Sequence, residues 1–207
     1  MSKTILSTKM KYLVWANNFV SDDEERPVLH GVRIESCASG GIFISATNGR
    51  IAGRFYDKGG VCDNARTLNV TRLKNSLMYE ELEEGGDKES SIIINSDNVA
   101  HLPESEKMTR DVIFIDYIYP DLSKIYKLKP FELNQNFILS PYYLSLLEHI
   151  DEHNCGITLW QTQEKDTEKK AVRIEPYFIT VNCEPNFLGV IMGMAGSIKE
   201  VNPIFLP

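Results

Sequence analysis

The stretch RPVLHGVRIESCASGGIFISATNGRIAGRF, residues 26–55, decides how the rest of the chain is read. Val28, Val32 and Ile34 alternate with polar neighbours, and Ile42, Ile44 and Ala46 do the same after Ser39-Gly40-Gly41. Period-two alternation on both sides of a glycine turn predicts two half-buried strands joined as a β-hairpin. The second strand runs into Ala46-Thr47-Asn48-Gly49-Arg50-Ile51-Ala52, where Asn-Gly takes positive φ readily and exposes a backbone edge at the strand end. A plain turn would account for that kink on its own.

At 207 residues the chain has room for one large or two small domains with a genuine core. No apolar run approaches the roughly 20 residues of a membrane span. The opening MSKTILSTKMKYLVW lacks the apolar run of a signal peptide, so the expectation is a cytoplasmic protein that does not engage a membrane. Cys37, Cys62, Cys155 and Cys183 are widely spaced without a C-x-x-C pair, which points to buried free thiols rather than a zinc knuckle or disulfide scaffold. The 22 Lys and Arg against 29 Asp and Glu leave a formal charge of −7. A protein that simply coats DNA is normally basic, so contact with nucleic acid would need a local patch on an acidic body.

In chain order, 4–8 reads as a strand and 9–20 as an amphipathic helix with Met10, Leu13, Val14 and, at its margin, Trp15 inward. Lys9, Lys11, Asn17 and Asn18 fall off that stripe, toward solvent or phosphate. After the acidic loop 21–25, the hairpin completes a unit of strand, helix and strands. Beyond the linker 57–60 a second unit follows, with a strand at 66–70 and a helix from the Thr71 cap to about Glu84 that turns Leu73, Leu77, Met78 and Leu82 inward. Gly85-Gly86 stops that helix, and strands follow at 91–94, 99–102 and 112–117. Tyr119-Pro120-Asp121-Leu122 then leaves the sheet as a stiff connector, because proline fixes φ and removes a donor. A third unit has a strand at 137–139 and a helix capped by Ser140, with Pro141 in its first turn and Tyr143, Leu144, Leu147 and Ile150 inward. Its strands are at 157–160, 172–174, 178–181 and 187–194, around an exposed charged loop at 164–170. One supersecondary pattern thus recurs about three times, at a spacing of about 65 residues.

Four segments, Leu29-His30-Gly31, Ala46-Thr47-Asn48-Gly49, Tyr119-Pro120-Asp121 and Val190-Ile191-Met192-Gly193-Met194, resemble signatures of the bacterial sliding clamp, the β subunit of DNA polymerase III. The family's versions are a leucine-asparagine-glycine strand, an alanine-threonine-aspartate-glycine turn, an aromatic-proline-aspartate link and a valine-methionine-proline-methionine closing strand. Here Asn48 stands for the aspartate and Gly193 for the proline, Ala195 is found where arginine is usual, and the turn is one residue shorter between Gly49 and Arg50. The resemblance reaches over nearly the whole chain to Met194 and implies an α+β sliding-clamp (DNA clamp) fold of repeated strand-helix-strands half-domain units. It divides the chain into a complete domain over 1–127, with halves at about 1–62 and 63–127, a lone half-domain over 131–196, and a tail over 197–207. These match the clamp's middle domain and the second half of its last.

The resemblance also implies a peptide-binding cleft formed by Leu29, Thr47, Gly49, Arg50, Ile51, Pro120, Lys124, Ile125, Val190, Met192 and Met194. Its aliphatic and methionine members would accept a leucine or phenylalanine side chain, each worth about 1.5–3 kcal/mol when fully buried. Thr47, Gly49 and Arg50 would offer polar contacts to a peptide backbone. Each of these positions also reads as ordinary core. Lys9, Lys11, Arg72 and Lys74 fall on the first two helices, where clamp side chains touch DNA phosphates without reading sequence. Glu148, Asp151 and Glu152 on the third helix would repel the same backbone. His149 and His153, beside Cys155, have metal-ligand chemistry, but histidines at a helix C-terminus meet its dipole without a metal. Their order is not that of a zinc hydrolase, and no cofactor is expected. No G-x-S-x-G, Walker or dinucleotide loop is present, which points away from an enzyme.

The implied function is that of a processivity factor in DNA replication, from a phage, mobile element or bacterium. It would encircle double-stranded DNA as a homo-oligomer and bind clamp-motif peptides of a replicative polymerase or other replication proteins, with a clamp loader as a further partner. If a ring takes about a dozen half-units, three per chain close as a tetramer. The competing expectations are an adaptor or decoy that keeps the cleft without encircling DNA, a metal-dependent enzyme at His149 and His153, and a structural viral component. The apolar tip Ile204-Phe205-Leu206 either packs on its own domain or enters such a cleft on a neighbouring chain.

Overall fold

The computed structural model describes residues 3–69, 90–101, 109–126, 139–148, 150, 155–161 and 176–193. The expected helix at 71–84, the strand at 172–174, the loop at 164–170, the tail at 197–207 and residues 137–138 lie outside them. So do Arg72, Lys74, His149, Asp151, Glu152, His153 and Met194, and the side chain of Lys124.

The elements run β1 (Thr4–Lys9), α1 (Met10–Asn17), a 3-10 turn (Pro27–Leu29), β2 (Gly31–Ser36), β3 (Ile42–Thr47), β4 (Ile51–Asp57), β5 (Val61–Cys62) and β6 (Arg66–Asn69). There follow β7 (Ser91–Asn95), β8 (Val99–His101), β9 (Thr109–Asp111), α2 (Ser123–Tyr126), α3 (Pro141–Ser145), β10 (Ile157–Gln161), β11 (Pro176–Val181) and β12 (Phe187–Met192). They build a five-stranded sheet in the order β5-β1-β7-β8-β9 and a seven-stranded sheet in the order β10-β11-β12-β4-β3-β2-β6.

The hairpin forms as its alternation dictates, β2 pairing β3 from Arg33↔Ser45 to Ser36↔Ile42. Its third strand, β4, then pairs β12 from Phe187↔Phe55 to Ile191↔Ile51, so a segment some 130 positions downstream in the chain extends the same sheet. Because successive strand residues face opposite sides, Val32, Ile34, Ile42, Ile44, Ala46, Ile51, Phe55, Phe187 and Ile191 share one face and enter a single core. That core continues through α1 to Leu6, Ile92 and Ile94 of the smaller sheet and to Leu147 and Ile150 after α3.

Helix α1 departs from the amphipathic expectation. Met10, Tyr12, Leu13, Trp15, Ala16 and Asn17 are all buried, because the helix is covered on more than one side. It lies on the seven-stranded sheet while the turn between β11 and β12 reaches it from beyond: Asn186 Nδ2 donates to the Tyr12 hydroxyl at 3.3 Å, and Lys11 Nζ stands 3.9 Å from Glu184. Asn17, expected on the solvated side, is inside.

Three smaller departures have local causes. Val28 lies in the 3-10 turn, not in a strand, since Pro27 sets a helical φ and His30 N–H bonds back to the Pro27 carbonyl. The strand paired with β8 is the polar Thr109–Asp111, whereas 112–115 crosses between the sheets and meets β6 by the bonds Asn69 N–H to Ile113 O and Ile115 N–H to Thr67 O. Of the four free cysteines only Cys62 is buried, and Cys155 is exposed. Burial raises the pKa of the Cys62 thiol, while a hydrogen bond with Ser39 lowers that of Cys37. No described helix is long and apolar enough to cross a membrane.

Candidate functional site

The face of the seven-stranded sheet turned away from α1 carries two adjoining rows of side chains, read from the strand registers. Thr47, Ala52, Val190, Phe178 and Trp160 stand opposite one another across β3, β4, β12, β11 and β10. Two residues along each strand comes a more polar row, Arg33, Ser45, Arg54 and Leu188 on β2, β3, β4 and β12. The connector at 119–126 crosses above them, where Tyr119 and Leu122 pack on Ala52, joined by Ile125 and Tyr126 of α2.

The turn at the end of this face is built by its own side chains. Buried Thr47 donates through Oγ1 to the Ile51 carbonyl at 2.8 Å and accepts the Gly49 N–H at 3.0 Å. Asn48 Oδ1 accepts the N–H groups of Arg50 and Ile51 at 2.9 and 3.0 Å. An acceptor oxygen is all that this role requires, which explains why asparagine serves where the resembling motif has aspartate. Gly49 has φ +86°, and a β-carbon there would stand 3.2 Å from Arg26 Nη1 and 3.9 Å from Leu29 Cδ1. Gly49→Ala is therefore expected to lower unfolding free energy by about 1–2 kcal/mol, through the left-handed backbone rather than any loss of burial. Urea unfolding at unchanged m measures it.

Three distant segments meet here. The Met192 N–H donates to the Arg50 carbonyl at 2.8 Å, so the end of β12 is tied to the turn. Leu29 is buried against the turn from below, and Tyr119 lies beside the Thr47 backbone. Burial pushes the Tyr119 and Tyr126 phenols up, so both stay protonated donors. The turn, the end of β12 and the connector that carries Pro120 and Ile125 thus border the same face, the connector through Thr47 and Ala52 and the end of β12 through Arg50.

Ile51 is placed differently. It is 1% exposed and packs in the inner core, while Ala52, buried beneath Tyr119 and Leu122, takes the opposite face beside Val190. The turn is one residue shorter than the motif it resembles, and a shift of one residue along a strand exchanges the faces of everything after it. Ala52, Tyr119, Leu122 and Phe178 therefore belong to this face although motif matching did not select them. The strand parity counted from Gly49 was the available signal for Ala52.

The basic candidates are separated from this face. Lys11 lies on α1, its side chain only 14% exposed, next to Glu184 and 5.3 Å from the ring centres of Tyr12 and Trp15. Lys9 precedes α1, and its backbone N–H donates to Asp57. Among the described residues, no group of three or more His, Cys, Asp or Glu could hold a metal ion.

No protein-family model and no curated protein sequence matches the chain. Solved structures do. The DNA polymerase III β subunit of Thermotoga maritima superposes with a TM-score of 0.61 at 13% identity, covering 95% of this chain and 67% of that one. A sliding clamp of Bartonella birtlesii, bound to griselimycin, gives a TM-score of 0.60 at 11% identity over 94% and 66% of the two chains. The β subunit of Borrelia burgdorferi gives 0.50 at 15% over 91% and 63%. This chain has the fold of the bacterial sliding clamps, over about two thirds of their length.

Proposed function

We propose that this protein is a non-enzymatic, sliding-clamp-like processivity factor, which encircles double-stranded DNA as a homo-oligomer and docks short apolar peptides of replication proteins. The observation that supports it best is the meeting of the Thr47–Ile51 turn, the connector at 119–126 and the end of β12 on the face of the sheet turned away from α1. A leucine or phenylalanine side chain of a peptide would lie between Pro120, Ile125, Val190 and Met192, with Lys124 and Met194 at the margin. The peptide backbone would meet Gly49 and Arg50. The division into a complete domain at 1–127 and a half-domain at 131–196 leaves a unit without its pair, which a further copy of the chain would supply.

A labelled peptide with a Leu-Phe anchor, titrated by fluorescence anisotropy, tests the groove. Wild type is expected to bind at micromolar Kd and Met192→Asp at least about tenfold more weakly, a change of about 1.4 kcal/mol. Equal affinities would remove the groove. Light scattering at high concentration is expected to show an oligomer, and retention on circular but not linearised DNA is expected of a closed ring.

A second reading, docking of peptides without encircling DNA, is favoured by the charges on the helices. Lys11 is neighboured by Glu184 rather than left free for phosphate, and Glu148 is exposed just beyond α3. Peptide binding without retention on circular DNA would decide for it.

A further inference from the structure

Beside the apolar row, the connector encloses a cleft of about 190 Å³ whose floor is the polar row, Arg33, Ser45 and Arg54, with Glu35, and whose wall is formed by residues 119–122. Its hydrogen-bonding capacity is unbalanced. Glu35 accepts from Arg33 Nε at 3.3 Å and stands 3.7 Å from Arg54 Nη2, so one carboxylate lies between two guanidiniums. Arg54 Nε donates to Ser45 Oγ at 3.1 Å, and its guanidinium carbon is 4.7 and 4.3 Å from the ring centres of Phe43 and Tyr126. Arg33 bonds Glu35 through Nε, and its side chain is 26% exposed, so its terminal nitrogens are open to a ligand. Asp121, at the rim, uses Oδ1 to accept the Ser123 N–H at 2.9 Å. Each guanidinium brings five N–H donors and no acceptor, and the bonds of Arg33 and Arg54 to Glu35 and Ser45 use only part of them.

We propose that this cleft is a carboxylate-binding subsite, which takes an aspartate or glutamate side chain of the docked peptide next to its apolar anchor. The proposal rests on the peptide-docking reading above. Arg33 and Arg54 are fixed in place by Glu35, Ser45 and two aromatic rings, so the charge is preorganised, and a guanidinium and a carboxylate match in a two-point geometry. Size and spacing agree as well. The volume suits one side chain rather than a length of peptide, and Arg54 follows Ala52 by two residues on β4, about 6–7 Å. An extended peptide covers that distance in two residues. The partner is thereby narrowed to apolar peptides with an acidic residue two or three positions from the anchor.

The test uses the full chain and matched Leu-Phe peptides in which a single Glu or its isostere Gln is placed two or three positions before or after the anchor. One Glu position is expected to bind about 5–10-fold tighter than its Gln twin. That ratio is expected to shrink with salt, and to fall to one in Arg33→Gln. If the Gln peptides bind and Met192→Asp weakens them but no Glu position is preferred, the subsite falls and the groove stands. Inorganic phosphate and acetate, titrated without peptide and followed by the side-chain Nε–H resonances of the arginines, form the second arm. Competition of either anion with the Glu peptide but not with the Gln peptide supports the subsite. A saturable phosphate response with no preference for Glu would reassign the cleft to free anions and overturn the proposal. If no peptide binds at all, the docking reading fails and the subsite falls with it.

Discussion

Phe55→Ala is expected to cost about 3–5 kcal/mol of stability, the usual range for emptying a buried phenylalanine site, and at this chain length each kcal/mol moves Tm by about 2–4 °C. Phe55 is fully buried on β4 and is the hub of an aromatic group: its ring centre is 5.8 Å from Tyr12, 5.9 Å from Trp15, 6.4 Å from Phe19 and 4.9 Å from Phe187. Four rings from α1, the loop after it and β12 cannot all close on an alanine, so a cavity remains and adds to the lost transfer energy. The position also joins two distant parts of the chain, since Phe55 stands opposite Phe187 at the β4–β12 seam. Hydrogen exchange at the amides of β12 should accelerate more than at those of β7, which lies in the other sheet. Thermal unfolding within a degree of wild type would contradict this account of the core.

Asp57→Ala is expected to be nearly as damaging, at about 3–4 kcal/mol, for a polar reason. Asp57 is buried at the end of β4, where Oδ2 accepts the Thr8 hydroxyl at 2.8 Å and the Lys9 N–H at 2.9 Å, and Oδ1 accepts the Gly59 N–H at 3.1 Å. The carboxylate thus fastens the junction of β1 with α1 to the turn after β4. Alanine would leave three donors without an acceptor, and a buried donor left unsatisfied costs about 1–3 kcal/mol. Asp57→Asn keeps one acceptor oxygen and should recover roughly half of the loss. Urea unfolding of the pair measures this, and equal stability of the two variants would show that the acceptor count is not what matters.

The hairpin was legible because its alternation is local: Ile34 lies between Arg33 and Glu35, Ile42, Ile44 and Ala46 recur at every second position, and one strand's period needs no knowledge of the other. The helix in front of it was legible as a helix for the same reason. Its surroundings were not. Nothing near α1 in the sequence announces that the β11–β12 turn, some 170 positions on, covers its Tyr12 and Lys11 side; Asn17 is buried on another side, with Met10 and Leu13 at helical spacing. The segment 112–117 has the composition of a strand, yet its position between two sheets leaves it bonded to β6 by only a few hydrogen bonds.

The candidate site divides in the same way. Thr47, Asn48 and Gly49 determine their own turn, with acceptor side chains and a residue free to take positive φ, so the sequence by itself settled that corner. It also settled that 119–122 would leave the sheet, because Pro120 cannot continue a ladder. The tertiary structure alone decided that β12 lies against β4, that Ala52 and not Ile51 meets the connector beside Val190, and that Arg33 and Arg54 share one carboxylate beneath the connector. Those are outcomes of register between strands far apart in the chain. Register follows from burying one complete face at once, a property of the assembled sheet and not of any short stretch within it.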